Sequence, residues 1–173
     1  MRTTKERTTA ARALHEFLAP SGSFDIGRLA EAAMPIFPRV GAEFPADTID
    51  ELLAVFQHLG VGEVLVRYSE AAGGPHCEAL MDLSAPEAAT TMVQRYIFDN
   101  VVVSLDARVV AFTSHDNFFL VASPHILSIK DIGFTANELV DDFESYMDQL
   151  MWPIHLKRKW TDAIRSSQRS GLQ

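Results

Sequence analysis

The residues of this 173-residue chain that could do chemistry are six histidines, one cysteine and a surplus of carboxylates. A metal centre needs ligands that the backbone brings together, such as two histidines one helical turn apart or a Cys-x-x-Cys pair. His15, His58, His76, His115, His125 and His155 show neither arrangement. His76 and Cys77 are adjacent, so in a strand they point to opposite faces and cannot chelate one ion. No metal and no cofactor is expected. As a nucleophile, Cys77 would need a base such as His76 or His58 beside it, yet it falls in an apolar, strand-like period where a structural thiol is the default. There is no Gly-x-Ser-x-Gly elbow, no glycine-rich phosphate loop and no dinucleotide fingerprint. Ser114-His115-Asp116-Asn117 reads as a hairpin turn between two apolar runs.

The carboxylates carry a different message. Glu138, Asp141, Asp142, Glu144 and Asp148 recur at spacings that spread them around the outer arc of a helix, so they do not converge on a cation. They read as a solvated face and as favourable charge near a helix N-terminus, mirrored by Lys157, Arg158 and Lys159 toward the other end. The net charge is −8. Both termini are basic, however, and residues 13–156 hold 21 acidic against 6 basic residues, a net of −15. Such a body repels nucleic-acid phosphates and attracts basic protein surfaces within about a Debye length, ~8 Å. A helix after Thr48 followed by a hairpin has the outline of a winged helix, but it carries Asp50 and Glu51 and no Lys or Arg, so no nucleic-acid partner is expected. The longest apolar runs fall far short of the ~20 residues that span a bilayer, and no apolar segment follows the basic N-terminus. With one cysteine and no internal disulfide, the chain is expected in the cytoplasm, away from the membrane.

Three hydroxyl residues are each followed three positions later by glutamate and then by an apolar period: Thr48 with Glu51, Ser84 with Glu87, and Thr135 with Glu138. Each reads as a capping box that starts a helix. The first buries Ile49, Leu52, Leu53, Phe56 and Leu59 and stops at Gly60. The second buries Ala89, Met92, Val93, Tyr96 and Ile97. The third is long, with Leu139, Phe143, Tyr146, Met147, Leu150 and Ile154 on one face and a kink at Pro153. Between the first two helices the pattern gives a hairpin, 63–68 and 76–83, around a turn at 71–75. After the second come strands at 101–105, 108–113 and 117–122. The fold class is therefore α+β, an antiparallel sheet flanked by helices in the order α-β-β-α-β-β(-β)-α. Residues 1–46 read as a helical N-terminal extension, with one helix around Ala11 to Leu18, another from Ile26 to Ile36, and a loop punctuated by Pro35, Pro38 and Pro45. The division is thus 1–46 and 47–173.

Across residues 48–160, the helix ending FQHLGVGEVLVRY, the strand HCEALMDLS, the central capped helix and the close from VVAFTSHDNFFLVAS into ANELVDDFESYMDQL resemble the class I chaperones of type III secretion and related bacterial proteins of that fold. The resemblance implies a homodimer that binds an extended partner segment along an apolar surface and does no chemistry. With the charge pattern, it makes a non-catalytic protein-binding module the expected function, with Glu138, Asp141, Asp142 and Glu144 as contacts for a basic protein partner. Two alternatives stand beside it: an immunity protein whose acidic body neutralises a basic toxin, and a small enzyme using Cys77 or a histidine.

Overall fold

The computed structural model describes residues 4–32, 34–43, 45–69, 75–95, 99–124 and 136–170. Six strands form one antiparallel sheet in the order β1-β6-β5-β4-β2-β3. In chain order the elements are α1 (Thr4–Glu16), α2 (Ile26–Glu31), β1 (Ile36–Val40), α3 (Pro45–His58), β2 (Glu63–Ser69), β3 (His76–Asp82), α4 (Ala88–Arg95), β4 (Asn100–Ser104), β5 (Val110–Ser114), β6 (Phe118–Ala122), α5 (Ala136–Gln149) and α6 (Ile154–Ser170). The α+β class and the order expected from Thr48 onward hold, and pairing of β2 with β4 joins the two hairpin sets into one sheet. No described helix is long and apolar enough to cross a membrane.

Both faces of the sheet are covered. Strands β4, β5 and β6 are buried at every position, as expected of central strands with helices above and below. Alternation sorts their side chains between two cores. Leu65, Val101, Val103, Phe112, Phe118 and Leu120 face α1, α2, α5 and α6. Val64, Val66, Val102, Ala111, Phe119 and Val121 face α3 and α4. On the first face Phe118 is the hub of an aromatic cluster, with ring centroids 5.2 Å from Phe143, 5.6 Å from Trp160, and 6.1 Å from both Phe112 and Trp152.

The first 46 residues differ from their helical reading. Ile36–Val40 is a strand, paired to β6 with Pro38 opposite Leu120. It lies at the edge of the sheet, where proline's missing N–H can face away from the ladder. Helix α2 accordingly stops at Glu31, well short of Ile36. Ala10, Leu14, Phe17 and Leu18 of the N-terminal segment are buried in the same core as Phe112 and Phe143.

The helix starts also need correction. Thr48 is not a cap: α3 begins three residues earlier at Pro45, a favoured first helical position. Thr48 is instead fully buried, and its Oγ1 accepts from the Ala42 N–H at 2.8 Å. Ser84 lies in a turn, its Oγ donating to Asp82 at 2.6 Å, and α4 starts only at Ala88. Thr135, Tyr96 and Ile97 lie outside the described residues. At Gly60 the expectation holds: φ is +70°, and Gly60 N–H and Val61 N–H donate to Gln57 and Phe56 carbonyls, closing α3 with a Schellman motif.

The long C-terminal helix is two helices. Proline at 153 cannot donate back, and its ring disfavours helical geometry at Trp152, so α5 ends at Gln149 and the chain restarts as α6. The Pro153 carbonyl accepts from Leu156 and Lys157 N–H groups at the new start. This break places Ile154 in the open, at 60% exposure, rather than on the core face expected for it. It also puts Lys157, Arg158 and Lys159 in the first two turns of a new helix, while Lys157 Nζ reaches back to the Asp148 carbonyl in the last turn of α5, a favourable place for a cation.

Candidate functional site

The polar chemistry of the molecule concentrates at the turn between β5 and β6. Ser114 to Asn117 do form a hairpin turn, closed by Asn117 at φ +59°, a conformation that asparagine tolerates better than most residues. The fold then loads it with partners from four other segments. Asn117 Nδ2 donates to the Ala42 carbonyl at 3.0 Å and the Gly41 N–H donates to the Asn117 carbonyl at 2.8 Å. Tyr146 Oη donates to the Asp116 carbonyl at 2.6 Å, and Trp152 Nε1 donates to Asp116 Oδ2 at 2.8 Å. Asp99, just before β4, accepts from the His115 backbone N–H at 3.0 Å, and its Oδ1 lies 2.7 Å from His115 Nδ1.

His115 therefore sits between two carboxylates, with Nε2 3.8 Å from Asp116 Oδ2. The hydrogen bond to Asp99 raises its pKa above the ordinary 6.5; burial opposes this, and the negative charges of Asp99 and Asp116 reinforce it. Tyr146 is also pushed up, by burial first and by Asp116 second. An imidazole oriented by a carboxylate makes two of the three members of a hydrolytic triad, but Ser114 Oγ, the nearest hydroxyl in sequence, is buried and accepts from the Asp116 N–H. The arrangement ties loops together. A raised histidine pKa means the folded state holds the proton more tightly than the unfolded chain, so this contribution is full below about pH 6.5 and is lost as pH rises through the folded value. We expect the melting temperature of the wild type, relative to Asp99→Asn, to fall between pH 5.5 and pH 8. An unchanged difference over that range would show that the His115–Asp99 pair carries no charge-dependent stability.

The acidic face of α5 is partly spoken for. Arg165 of α6 forks onto Glu144, with its second nitrogen 2.6 Å from Oε2, and reaches Asp141 Oδ1 at 3.2 Å. Of the four carboxylates expected as partner contacts, Asp141 and Glu144 are thus engaged with Arg165; Glu138, Asp141 and Asp142 are exposed. Cys77 is half-buried on β3 opposite Tyr68, and His76 is exposed beside it. Among the described residues no group of three or more His, Cys, Asp or Glu side chains is placed to hold a metal ion. His125 lies outside them.

An open cleft of about 680 Å³ lies between the end of α1, α2 and α6, lined by Glu16, Phe17, Asp25, Arg28, Glu31 and Lys159 among others. Lys159 Nζ sits 2.8 Å from Asp25 Oδ1, and that bond, aided by the Gly27 N–H, holds the Asp25 carboxyl below its usual range against the opposing effect of burial. The Asp25–Lys159 pair thus lies at the wall of the cleft, beside charged residues of both signs.

The remaining feature is the far edge of the sheet. β3 pairs in unbroken register with β2, from Glu63 opposite Asp82 to Ser69 opposite His76, and is the last strand in the order. It has no proline, lysine or bulge of the kind that protects natural edges. Leu80 projects on the same face as Leu65, beyond the strands that α1 covers, and is 47% exposed. On that face Glu78 receives Arg67 of β2 at 3.4 Å and His15 of α1 at 3.3 Å. The strand is legible in the sequence but its edge position is not, because period-2 alternation specifies faces and says nothing about neighbours. The relatively weak apolar pattern of HCEALMD, exposed at alternate positions, was the available signal.

No protein-family model, curated protein or solved structure matches this chain.

Proposed function

We propose that the protein is a non-catalytic protein-binding module, a chaperone or adaptor, that takes an extended segment of a partner as an additional strand on β3. The observation supporting this reading is that β3 ends the sheet, with no strand paired to its outer side among the described residues and Leu80 exposed in its middle. Strand addition satisfies main-chain N–H and C=O groups for any sequence, and alternate side chains then read the face beside the edge. Here that face offers Leu80 between Glu78, engaged by Arg67 and His15, and Asp82, which accepts from Ser84, and this suits a segment with an apolar residue opposite Leu80. The acidic body, including exposed Glu138 and Asp142, would steer such a partner to the edge and act chiefly on its association rate. Asp141 and Glu144, paired with Arg165, contribute to the same field as part of a partly neutralised cluster.

The test is a pull-down from host lysate with Leu80→Lys beside the wild type. A lysine at an edge position disfavours strand addition, and at this half-exposed site it leaves the fold intact. We expect capture to fall at least about tenfold, the weight of ~1.4 kcal/mol of lost edge contact, with an unchanged melting temperature. Undiminished capture by Leu80→Lys would remove β3 as the docking edge.

A further inference from the structure

Of the four large apolar side chains that stand exposed among the described residues, three crowd into one corner: Met151 at 99%, Ile154 at 60% and Leu156 at 38% exposure. The corner is the break between α5 and α6. It projects because Pro153 ends one helix and starts another there, while Trp152, from the same corner, turns inward onto Phe118 and Trp160 and is anchored to Asp116. Apolar side chains scattered singly on a surface are ordinary, whereas three exposed together mark a candidate interaction surface.

The local run of charge at this corner is basic, unlike the acidic body of residues 13–149. From residue 150 to residue 161 there is no Asp or Glu, while His155, Lys157, Arg158 and Lys159 stand together. Lys159 is paired with Asp25, and Lys157 Nζ donates to the Asp148 carbonyl at the C-terminus of α5. Arg158 is exposed, its guanidinium without a partner among the described residues. The three cations lie in the first two turns of α6, whose first turn contains no acidic residue. Apolar tips flanked by cations match an anionic bilayer surface, which offers acyl chains to the first and phosphate groups to the second. The shape argues the same way: a projecting turn inserts into a fluid interface, whereas a protein partner would have to supply a fitted pocket.

We propose that the α5–α6 corner docks the protein on an anionic lipid surface, with Met151 and Ile154 entering the headgroup region and Lys157 and Arg158 facing the lipid phosphates. The acidic remainder of the chain is held off the bilayer, and screening over about 8 Å lets the corner act despite the overall negative charge. This surface is separate from the β3 edge, so either assignment can fail without the other.

The experiment is co-sedimentation of the full chain with vesicles of phosphatidylcholine alone and of phosphatidylcholine mixed with phosphatidylglycerol. We expect binding to the mixed vesicles only, reduced about tenfold or more by Met151→Asp with Ile154→Asp, and similarly by Lys157→Glu with Arg158→Glu. Met151→Trp should give a blue-shifted emission on adding the mixed vesicles, placing residue 151 itself in the interface. Failure of the wild type to sediment with the mixed vesicles overturns the proposal. So does binding that survives the double aspartate variant with its fold intact, and so does a corner that ignores vesicles but captures an acidic protein.

Discussion

Replacing Phe118 by alanine should lower the melting temperature by roughly 6–20 °C. The residue is fully buried on a central strand and its ring meets four others, those of Phe112, Phe143, Trp152 and Trp160. Truncating a buried phenylalanine removes its transfer free energy and leaves a cavity, together about 3–5 kcal/mol, and edge-to-face contacts of the kind it makes with Phe143 and Trp160 add to the upper part of that range. For a domain of this size each kcal/mol moves the midpoint by about 2–4 °C. The surrounding groups have little freedom to collapse, because Trp152 is fixed to Asp116 and Tyr146 to the same turn. Thermal unfolding followed by circular dichroism measures the shift, and near-ultraviolet ellipticity reports the loosened rings. A variant within about 3 °C of wild type would mean that this cluster does not form the centre of the core. Phe143→Ala, at the neighbouring fully buried position on α5, should follow the same pattern.

Gly41→Ala is the second substitution with a large expected effect. A Cβ at residue 41 would lie 2.3 Å from Asn117 Oδ1 and 2.8 Å from Thr48 Oγ1. Neither atom can move without loss. The Asn117 side chain donates to the Ala42 carbonyl while its backbone occupies positive φ, and Thr48 Oγ1 accepts from the Ala42 N–H inside a fully buried position. Overpacking of this kind costs about 1–3 kcal/mol, and breaking either hydrogen bond adds about 1 kcal/mol. The source of the strain is identified by a double-mutant cycle with Asn117→Gly, which keeps the positive φ accessible and removes the obstructing oxygen. Gly41→Ala should cost less in that background, with a coupling of about 0.5 kcal/mol or more. Additive effects would assign the strain to Thr48 instead.

Gly41 shows how a residue can be indispensable without any signal in the sequence. Its requirement comes from a turn 76 residues further on, and no local pattern connects the two. The same is true of His115. The tetrapeptide Ser114-His115-Asp116-Asn117 is legible as a turn because small and polar residues separate two apolar runs. That this turn receives Asp99, Tyr146, Trp152 and the loop at 41–42 depends on which strands lie beside one another, and the order β1-β6-β5-β4-β2-β3 is not encoded in any local period.

The sequence determined the elements whose signal is local. Apolar alternation located five of the six strands, the 3.6-residue period found the cores of α3 and α5, and Gly60 marked a helix end because only its freedom at positive φ closes that turn. Tertiary structure decided where local preference was ambiguous. Thr48 has the side chain of a cap, yet packing of α3 against β2, β4 and the 41–42 loop draws it inside the helix. Ile36 to Val40 contains a proline that argues against a strand, and becomes one because it falls at an edge where that proline has no ladder partner to deprive. Lys157 to Lys159 read as the end of one long helix until Pro153 divides it and starts α6, and only the fold brings Lys157 Nζ back onto the Asp148 carbonyl at the end of α5. Propensity and periodicity act over a few residues, whereas edge position, burial and the direction of a helix dipole are properties of the assembled sheet and of its covering layers.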